Sequence, residues 1–177
     1  RWDLADTSKY SVHVVQTTRG CPYDCDFCSV RAFLGSKYRS KSDEQVYNEV
    51  QNALRIDPNK PVFLCDDNFI GNKKRAVRLL RSLKLLRARY GTQVTLDLAE
   101  HDELLKTMAD SNFVQVFIGF ESISSDNLST MGKAKVLRTK DFNQAIDKIQ
   151  SHGIKVVGSF IFGLEHDTRE GLEKSRK

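Results

Sequence analysis

The chain has 177 residues, of which 40% are hydrophobic and 29% charged, with a net charge of +5. That is enough apolar material for one globular core, and no run approaches the ~20 apolar residues of a membrane span. The polar start Arg1-Trp-Asp-Leu-Ala-Asp6 lacks the apolar core of a secretion signal, and three of the four cysteines are crowded together. This pattern argues against a secreted disulfide framework and for metal binding in a reducing, cytoplasmic setting.

In chain order, residues 12–18 read as a strand that runs into a cysteine-bearing loop. A helix is expected from about Ser42, where Ser42-Asp43-Glu44-Gln45 supplies an N-cap with acids in the first turn, and Val46, Val50 and Leu54 share a face. Residues 61–65 form a short apolar strand ended by the turn formers Asp66, Asp67 and Asn68. An amphipathic helix follows, with Leu79, Leu80, Leu83 and Leu86 inside. Its outer face is basic, carrying Lys73, Lys74, Arg75, Arg78, Arg81, Lys84, Arg87 and Arg89, either as a solvated surface or as a contact for a polyanion such as RNA.

Residues 93–98 are expected as strand, 102–108 as helix, and 114–118 as strand ending at Gly119-Phe-Glu-Ser122. Residues 140–151 are expected as helix, with Phe142, Ala145, Ile146 and Ile149 on one face and Gly153 as its stop. Residues 154–162 form the fifth strand, ending at Gly163, and residues 168–177 open another helix. Five strands alternating with helices predict an α/β fold of βα units around a parallel sheet. A full eightfold barrel needs ~200 or more residues, so the expectation is an incomplete, TIM-like (β/α) barrel. The whole chain reads as one domain, cut at both ends from a longer protein.

Ligands of parallel α/β sheets bind at the carboxyl ends of the strands. That rule brings Cys21, Cys25 and Cys28 to one rim with Asp66–Asn68, Asp97, Glu100, Glu121, Ser122 and the polar run after Gly163. Three thiolates on one loop can hold a metal cluster, yet a four-iron cluster wants four ligands, which leaves one iron for a small molecule. Acidic and amide groups on the rim suit that molecule's amino group and sugar hydroxyls, and glycines admit an aromatic ring close to backbone. Other readings stand beside this one. The cysteines could form a structural zinc site with His13 or His101, or an electron-transfer cluster with Cys65, which otherwise belongs to the core. Asp66 and Asp67 could be turn formers only, Glu121 a helix cap, and His101, His152 and His166 surface residues. Arg31 and Arg39 either reach a ligand or stay solvated.

The run Arg19-Gly-Cys-Pro-Tyr-Asp-Cys-Asp-Phe-Cys28, a CxxxCxxC with Phe27 before the third cysteine, resembles the radical S-adenosylmethionine (SAM) superfamily. Together with Asp66-Asp-Asn-Phe-Ile-Gly-Asn-Lys73, Gly119-Phe-Glu-Ser122 and Gly158-Ser-Phe-Ile-Phe-Gly163, it is similar to the hopanoid C-2 methylase-like subfamily, whose members often carry an N-terminal cobalamin-binding domain. The resemblance implies that Cys21, Cys25 and Cys28 ligate a [4Fe-4S] cluster whose fourth iron is chelated by SAM. It implies that Phe27 presents its backbone to adenine and that Asp66, Asp67 and Asn68 stand in place of a Gly-Gly-Glu motif that holds the SAM amino group. Glu121, with Ser122, would bind ribose, and Ser159, Phe160 and Gly163 would line the adenine. The implied chemistry is one-electron cleavage of SAM to methionine and a 5′-deoxyadenosyl radical, with the protein orienting the cofactor. No DxHxxG run is present, so cobalamin would come from a domain outside this chain. The expected reaction is methylation or other modification of an unreactive carbon in a small molecule or lipid, fed by an electron donor such as flavodoxin or ferredoxin. The alternatives are an RNA methylthiotransferase-like enzyme and a non-catalytic iron–sulfur electron carrier.

Overall fold

The computed structural model describes residue 4, residues 6–133 and residues 141–175. Strand β1 (His13–Val15) leads into a two-residue strand β2 (Thr18–Arg19), the cysteine loop, a short helix α1 (Val30–Leu34) and strand β3 (Arg39–Ser40). There follow α2 (Asp43–Ile56), β4 (Val62–Leu64), α3 (Lys73–Leu83), β5 (Tyr90–Val94), α4 (Asp102–Asp110) and β6 (Phe113–Glu121). Helices α5 (Ser125–Thr130) and α6 (Phe142–Ser151), strand β7 (Lys155–Phe160) and helix α7 (Arg169–Lys174) complete the order.

The sheet is built as the alternation predicts: β1, β4, β5, β6 and β7 lie side by side in that order, all parallel, each followed by helix. Register sorts its two faces. Val62, Leu64, Tyr90, Thr92, Val94, Val116 and Ile118 fall on the buried face, under the helices. Phe63, Gly91, Gln93, Phe117 and Val157 fall on the opposite, less buried face, where Phe63 and Phe117 meet edge to face at 5.4 Å. Leu79, Leu80 and Leu83 of α3 and Val46, Val50 and Ala53 of α2 complete the core. Each such buried aliphatic side chain contributes roughly 1.5–3 kcal/mol.

Local signals explain most boundaries. Ser42 closes a capping box with Gln45, with Gln45 N donating to Ser42 Oγ at 3.1 Å and Ser42 N to Gln45 Oε1 at 3.0 Å. Asn72 caps α3 and Asp141 caps α6, so the expected start of that helix at Lys140 lies outside the described residues. Two elements differ from expectation. Strand β5 covers Tyr90–Val94, and the stretch expected as strand up to residue 98 is a 3-10 helix, Leu96–Glu100. Leu96 and Leu98 are buried by packing on α4 and α6, so their alternation reports burial without extension. The first strand also ends early, at Val15, because Asp66 captures the chain that follows it.

Asp66 is fully buried. Its Oδ1 accepts from the amides of Thr17 (2.6 Å) and Thr18 (2.8 Å), and its Oδ2 accepts from the Thr17 hydroxyl. Arg75, buried and turned away from the basic face that the sequence suggested, donates to Thr17 Oγ1 and Thr17 O at 3.3 Å each. Tyr38 ties the ribbon of β2 and β3 to the turn after β4, donating to Asn68 O and Phe69 O at 3.2 Å. This brace peels the chain off β1 and aims the cysteine loop across the sheet end. Replacing Asp66 with Ala strands two buried amides and should cost about 3 kcal/mol in denaturant unfolding. Asp66→Asn keeps an acceptor and should cost far less; an unchanged midpoint for Asp66→Ala would refute the brace. Burial raises the Asp66 pKa above its usual 3.8. The folded state therefore holds this proton more tightly than the unfolded chain, and the stabilising effect, full below 3.8, is lost as pH rises through the folded value. Asp66→Asn should flatten that part of the pH–stability curve.

Candidate functional site

The cysteine loop starts from a residue that must be glycine. Gly20 has φ +87°, and a Cβ there would lie 2.6 Å from the carbonyl oxygen of Lys37. Its amide donates to Asp67 Oδ2 at 3.2 Å, which joins the loop to the β4 end. Within the loop, the Cys28 amide donates to Cys25 O at 3.0 Å, and the Asp26 amide reaches Met131 O at 3.2 Å on the turn after α5. Cys21 and Cys25 are half-buried and Cys28 is exposed. All three line one cavity of about 320 Å³, which they share with Asp67, Gln93, Thr95, Glu121, Lys133 and Ser159 among others.

The donor set fits an iron–sulfur cluster. Three soft sulfur donors stand on one wall of this cavity, and polar groups stand on the others. Burial pushes the Cys21 and Cys25 thiols up, so a bound metal is what would hold them as thiolates. Among the described residues no three Cys, His, Asp or Glu side chains converge as a single ion requires. His13 sits at the opposite end of β1 with its Nε2 2.9 Å from Asp57 O, and His101 lies 3.7 Å from Asp97, so neither histidine faces the cysteines. Cys65 is half-buried at the end of β4, neither in the core nor on the cavity wall.

Glu121 faces this cavity through a distortion of β6. The register with β7 shifts between Gly119 and Glu121, and Glu121 takes φ +64°, a left-handed conformation that non-glycine residues adopt rarely. Two backbone bonds of 2.8 Å hold the kink, Ser122 N to Phe120 O and Ile161 N to Glu121 O. Glu121 Oε1 then lies 3.2 Å from Lys133 Nζ, with the residues 8% and 7% exposed. Lys133 Nζ also stands 5.8 Å from the centre of the Phe27 ring, so one cation links the cysteine loop to the β6 end. Gly119 makes the room: a Cβ there would lie 2.1 Å from Glu121 Oε1.

The structure thus brings Cys21, Cys25, Cys28, Phe27, Asp67, Asn68, Glu121 and Ser159 to one cavity. Asn68 Oδ1 accepts from Ile70 N, while its buried Nδ2 has no partner among the described residues and stands as a free donor. Asp66 is corrected: its carboxylate is engaged by Thr17 and Thr18 and does not line the cavity. Ser122 and Phe160 line a second cavity of about 380 Å³ on the far side of Glu121. Gly163 lines neither, and its amide donates to Asp167 Oδ2 at 2.7 Å. Asp97 is buried and engaged by Lys73 at 2.8 Å, and Glu100 is exposed. Lys133, Tyr23, Gln93 and Thr95 are cavity residues that sequence reasoning missed. The signal for Tyr23 lay inside the cysteine run; Gln93 and Thr95 were hidden by the misplaced strand.

The radical SAM superfamily matches residues 15–177 of the chain. Hopanoid C-2 methylase of Rhodopseudomonas palustris (strain TIE-1) is 34% identical over 175 residues, covering 96% of this chain and 33% of that protein. Bacteriochlorophyllide d C-8(2)-methyltransferase of Chlorobaculum tepidum is 26% identical over 167 residues, covering 90% of this chain and 37% of that protein. The chain spans about a third of the length of the curated relatives it matches. Among solved structures, the radical S-adenosylmethionine methyltransferase TsrM from Kitasatospora setae, with cobalamin and a [4Fe-4S] cluster bound, shares the fold at a TM-score of 0.82. It is 20% identical and covers 96% of this chain and 35% of that one. On the match over residues 15–177, the chain belongs to the radical SAM superfamily.

Proposed function

We propose that this chain is the radical SAM core of a cytoplasmic methylating enzyme, and that it binds a [4Fe-4S] cluster through Cys21, Cys25 and Cys28 with SAM beside it. The observation that carries this reading is the placement of three thiols, the free Asn68 amide donor and the Glu121–Lys133 pair on one cavity. When bound, the cluster supplies the electron that cleaves SAM to methionine and a 5′-deoxyadenosyl radical. The protein's part is to orient the ligand. Asp67 offers an acid to its amino group, the Asn68 amide and Lys133 offer donors to its carboxylate, and Glu121 accepts from ribose hydroxyls. Methylation of a small molecule or lipid is favoured over other radical chemistry by relatives named as methyltransferases, and cobalamin would be held by protein outside this chain.

The alternatives lose support in the structure. Lys73, Arg78 and Arg81 of α3 pair with Asp97, Asp43 and Glu103, and Arg75 is buried, so half of the eight cations of that face are engaged within the fold and are withdrawn from a contact with RNA. An electron carrier would need a fourth thiol, and Cys65 is off the cavity. The test is anaerobic reconstitution of the full natural protein with iron and sulfide, followed by dithionite and SAM. Production of 5′-deoxyadenosine, measured by chromatography, is expected. A protein that takes up the cluster yet yields none would sink the enzyme reading.

A further inference from the structure

We propose that the cleft beside the β2–β3 ribbon is a binding site for a phosphate group, which clasps Arg19 to Arg39 and so closes the base of the cysteine loop. Arg19 stands directly opposite Arg39 across the antiparallel pair, which puts both side chains on one face of the ribbon. Like charges so placed are destabilising, and neither arginine forms an ion pair among the described residues. A local rule broken without compensation inside the fold marks a functional position. Both arginines line a cavity of about 300 Å³ with Ser40, Lys41, Gln16 and Gln45, and no acidic side chain lines it.

The wall is rich in donors and poor in acceptors. Arg19 Nε donates to Gln16 Oε1 at 2.8 Å, and Ser42 N donates to Gln45 Oε1 at 3.0 Å. Each glutamine therefore has its amide oxygen engaged and keeps its NH2 as a donor. Arg39 uses one nitrogen, Nη2, on Leu34 O at 2.9 Å, and the Lys41 ammonium pairs with Glu49 at 2.6 Å. Two guanidinium groups without a counter-charge and two amide donors are left for a ligand. A tetrahedral oxyanion suits this set, because it offers more acceptor oxygens than a carboxylate and pairs with guanidinium forks bidentately. Charge selects further: two unneutralised cations match the near-double negative charge of free phosphate or a phosphate monoester, and exceed the single charge of a diester. The ribbon is what this anion holds. Strands β2 and β3 are two residues each and flank the segment 20–38, which carries all three loop cysteines. So short a pair is a weak closure on its own, and an anion between the arginines turns their repulsion into attraction. The clasp acts from outside the cysteine cavity, with which this cleft shares no lining residue.

The test uses the full natural protein as purified, in a dilute chloride buffer, with inorganic phosphate and glycerol 3-phosphate as calorimetric probes. Saturable binding is expected, with Kd raised ~10-fold or more in the Arg19→Gln/Arg39→Gln double variant and unchanged in Lys106→Gln, an exposed cation elsewhere. Stability supplies a reversal of sign. Without phosphate the double variant should unfold no earlier than wild type, since the repulsion is gone; with phosphate at saturation, wild type should rise above it and the variant should not respond. Amide hydrogen exchange across residues 20–38 should slow with phosphate in wild type alone. Tighter binding of glycerol 3-phosphate marks a phosphorylated small molecule as the ligand, the reverse order marks free phosphate, and either supports the site. No saturable binding to wild type, equal affinity in the double variant, or an equal loss in Lys106→Gln overturns it. A short RNA held through these arginines more tightly than either probe also overturns it, and assigns the cleft to a polynucleotide. Each of these outcomes leaves the cluster reading untouched, because the cysteine variants test that separately.

Discussion

Replacing Cys25 with Ala should abolish the iron–sulfur chromophore and leave the fold in place. The side chain is half-buried at the edge of the cavity and makes no part of the hydrophobic core, so its loss removes little packing. The loop is held by backbone contacts that alanine preserves: the Asp26 amide to Met131 O, the Cys28 amide to Cys25 O, and Gly20 against Asp67. A four-iron cluster with three protein ligands has none to spare, so the loss of one thiolate is expected to reduce bound iron to background. Cys21→Ala and Cys28→Ala should behave alike, and Cys65→Ala should keep a full complement of iron, because its sulfur lies off the cavity. Iron and acid-labile sulfide per chain, visible absorbance and circular dichroism together decide it. Cluster retained at wild-type level in Cys25→Ala, or lost in Cys65→Ala, would refute the ligand assignment.

The fold was legible because its signals are local. The Ser42–Gln45 capping box, the leucine face of α3 and the apolar runs at β4, β6 and β7 each carry their own period or cap, and βα alternation then leaves few topologies. The cysteine run was legible for the same reason, since its spacing is a property of one loop. What escaped depends on contacts far apart in sequence. The β2–β3 ribbon exists because Asp66 captures amides 49 and 48 residues before it, which no period in the run 12–18 reveals. Asp66 itself sat in the right place to bind a ligand and was consumed by that task. Ser122 follows Glu121 directly, yet the left-handed kink at Glu121 sends it to the other side of the strand end. Lys133 lies 12 residues beyond Glu121, past α5, and its pairing is set by the tether between Met131 and the cysteine loop.

Glu121→Ala should be the most damaging change on the cavity wall outside the cysteines. The Glu121–Lys133 pair is buried on both sides, with side chains 10% and 9% exposed. Removing one member of such a pair leaves an uncompensated buried charge and costs about 3–5 kcal/mol, so the unfolding midpoint should drop sharply. Lys133→Met should also destabilise, and the Glu121→Gln/Lys133→Met double variant should recover much of the loss, since neither charge is then stranded. Ligand binding separates stability from function. If Glu121 accepts from ribose hydroxyls, the double variant regains stability while its affinity for SAM stays reduced about 10–100-fold, one charge-assisted bond being worth roughly 1.5–3 kcal/mol. Gly119→Ala provides an independent route to the same outcome. Its Cβ would occupy the position of Glu121 Oε1, which forces the carboxylate off Lys133 without altering either charge. Equilibrium dialysis of SAM against the reconstituted proteins, beside denaturant titrations, measures both quantities. A double variant that regains wild-type affinity together with stability would show that the pair holds up the cavity wall and touches no ligand.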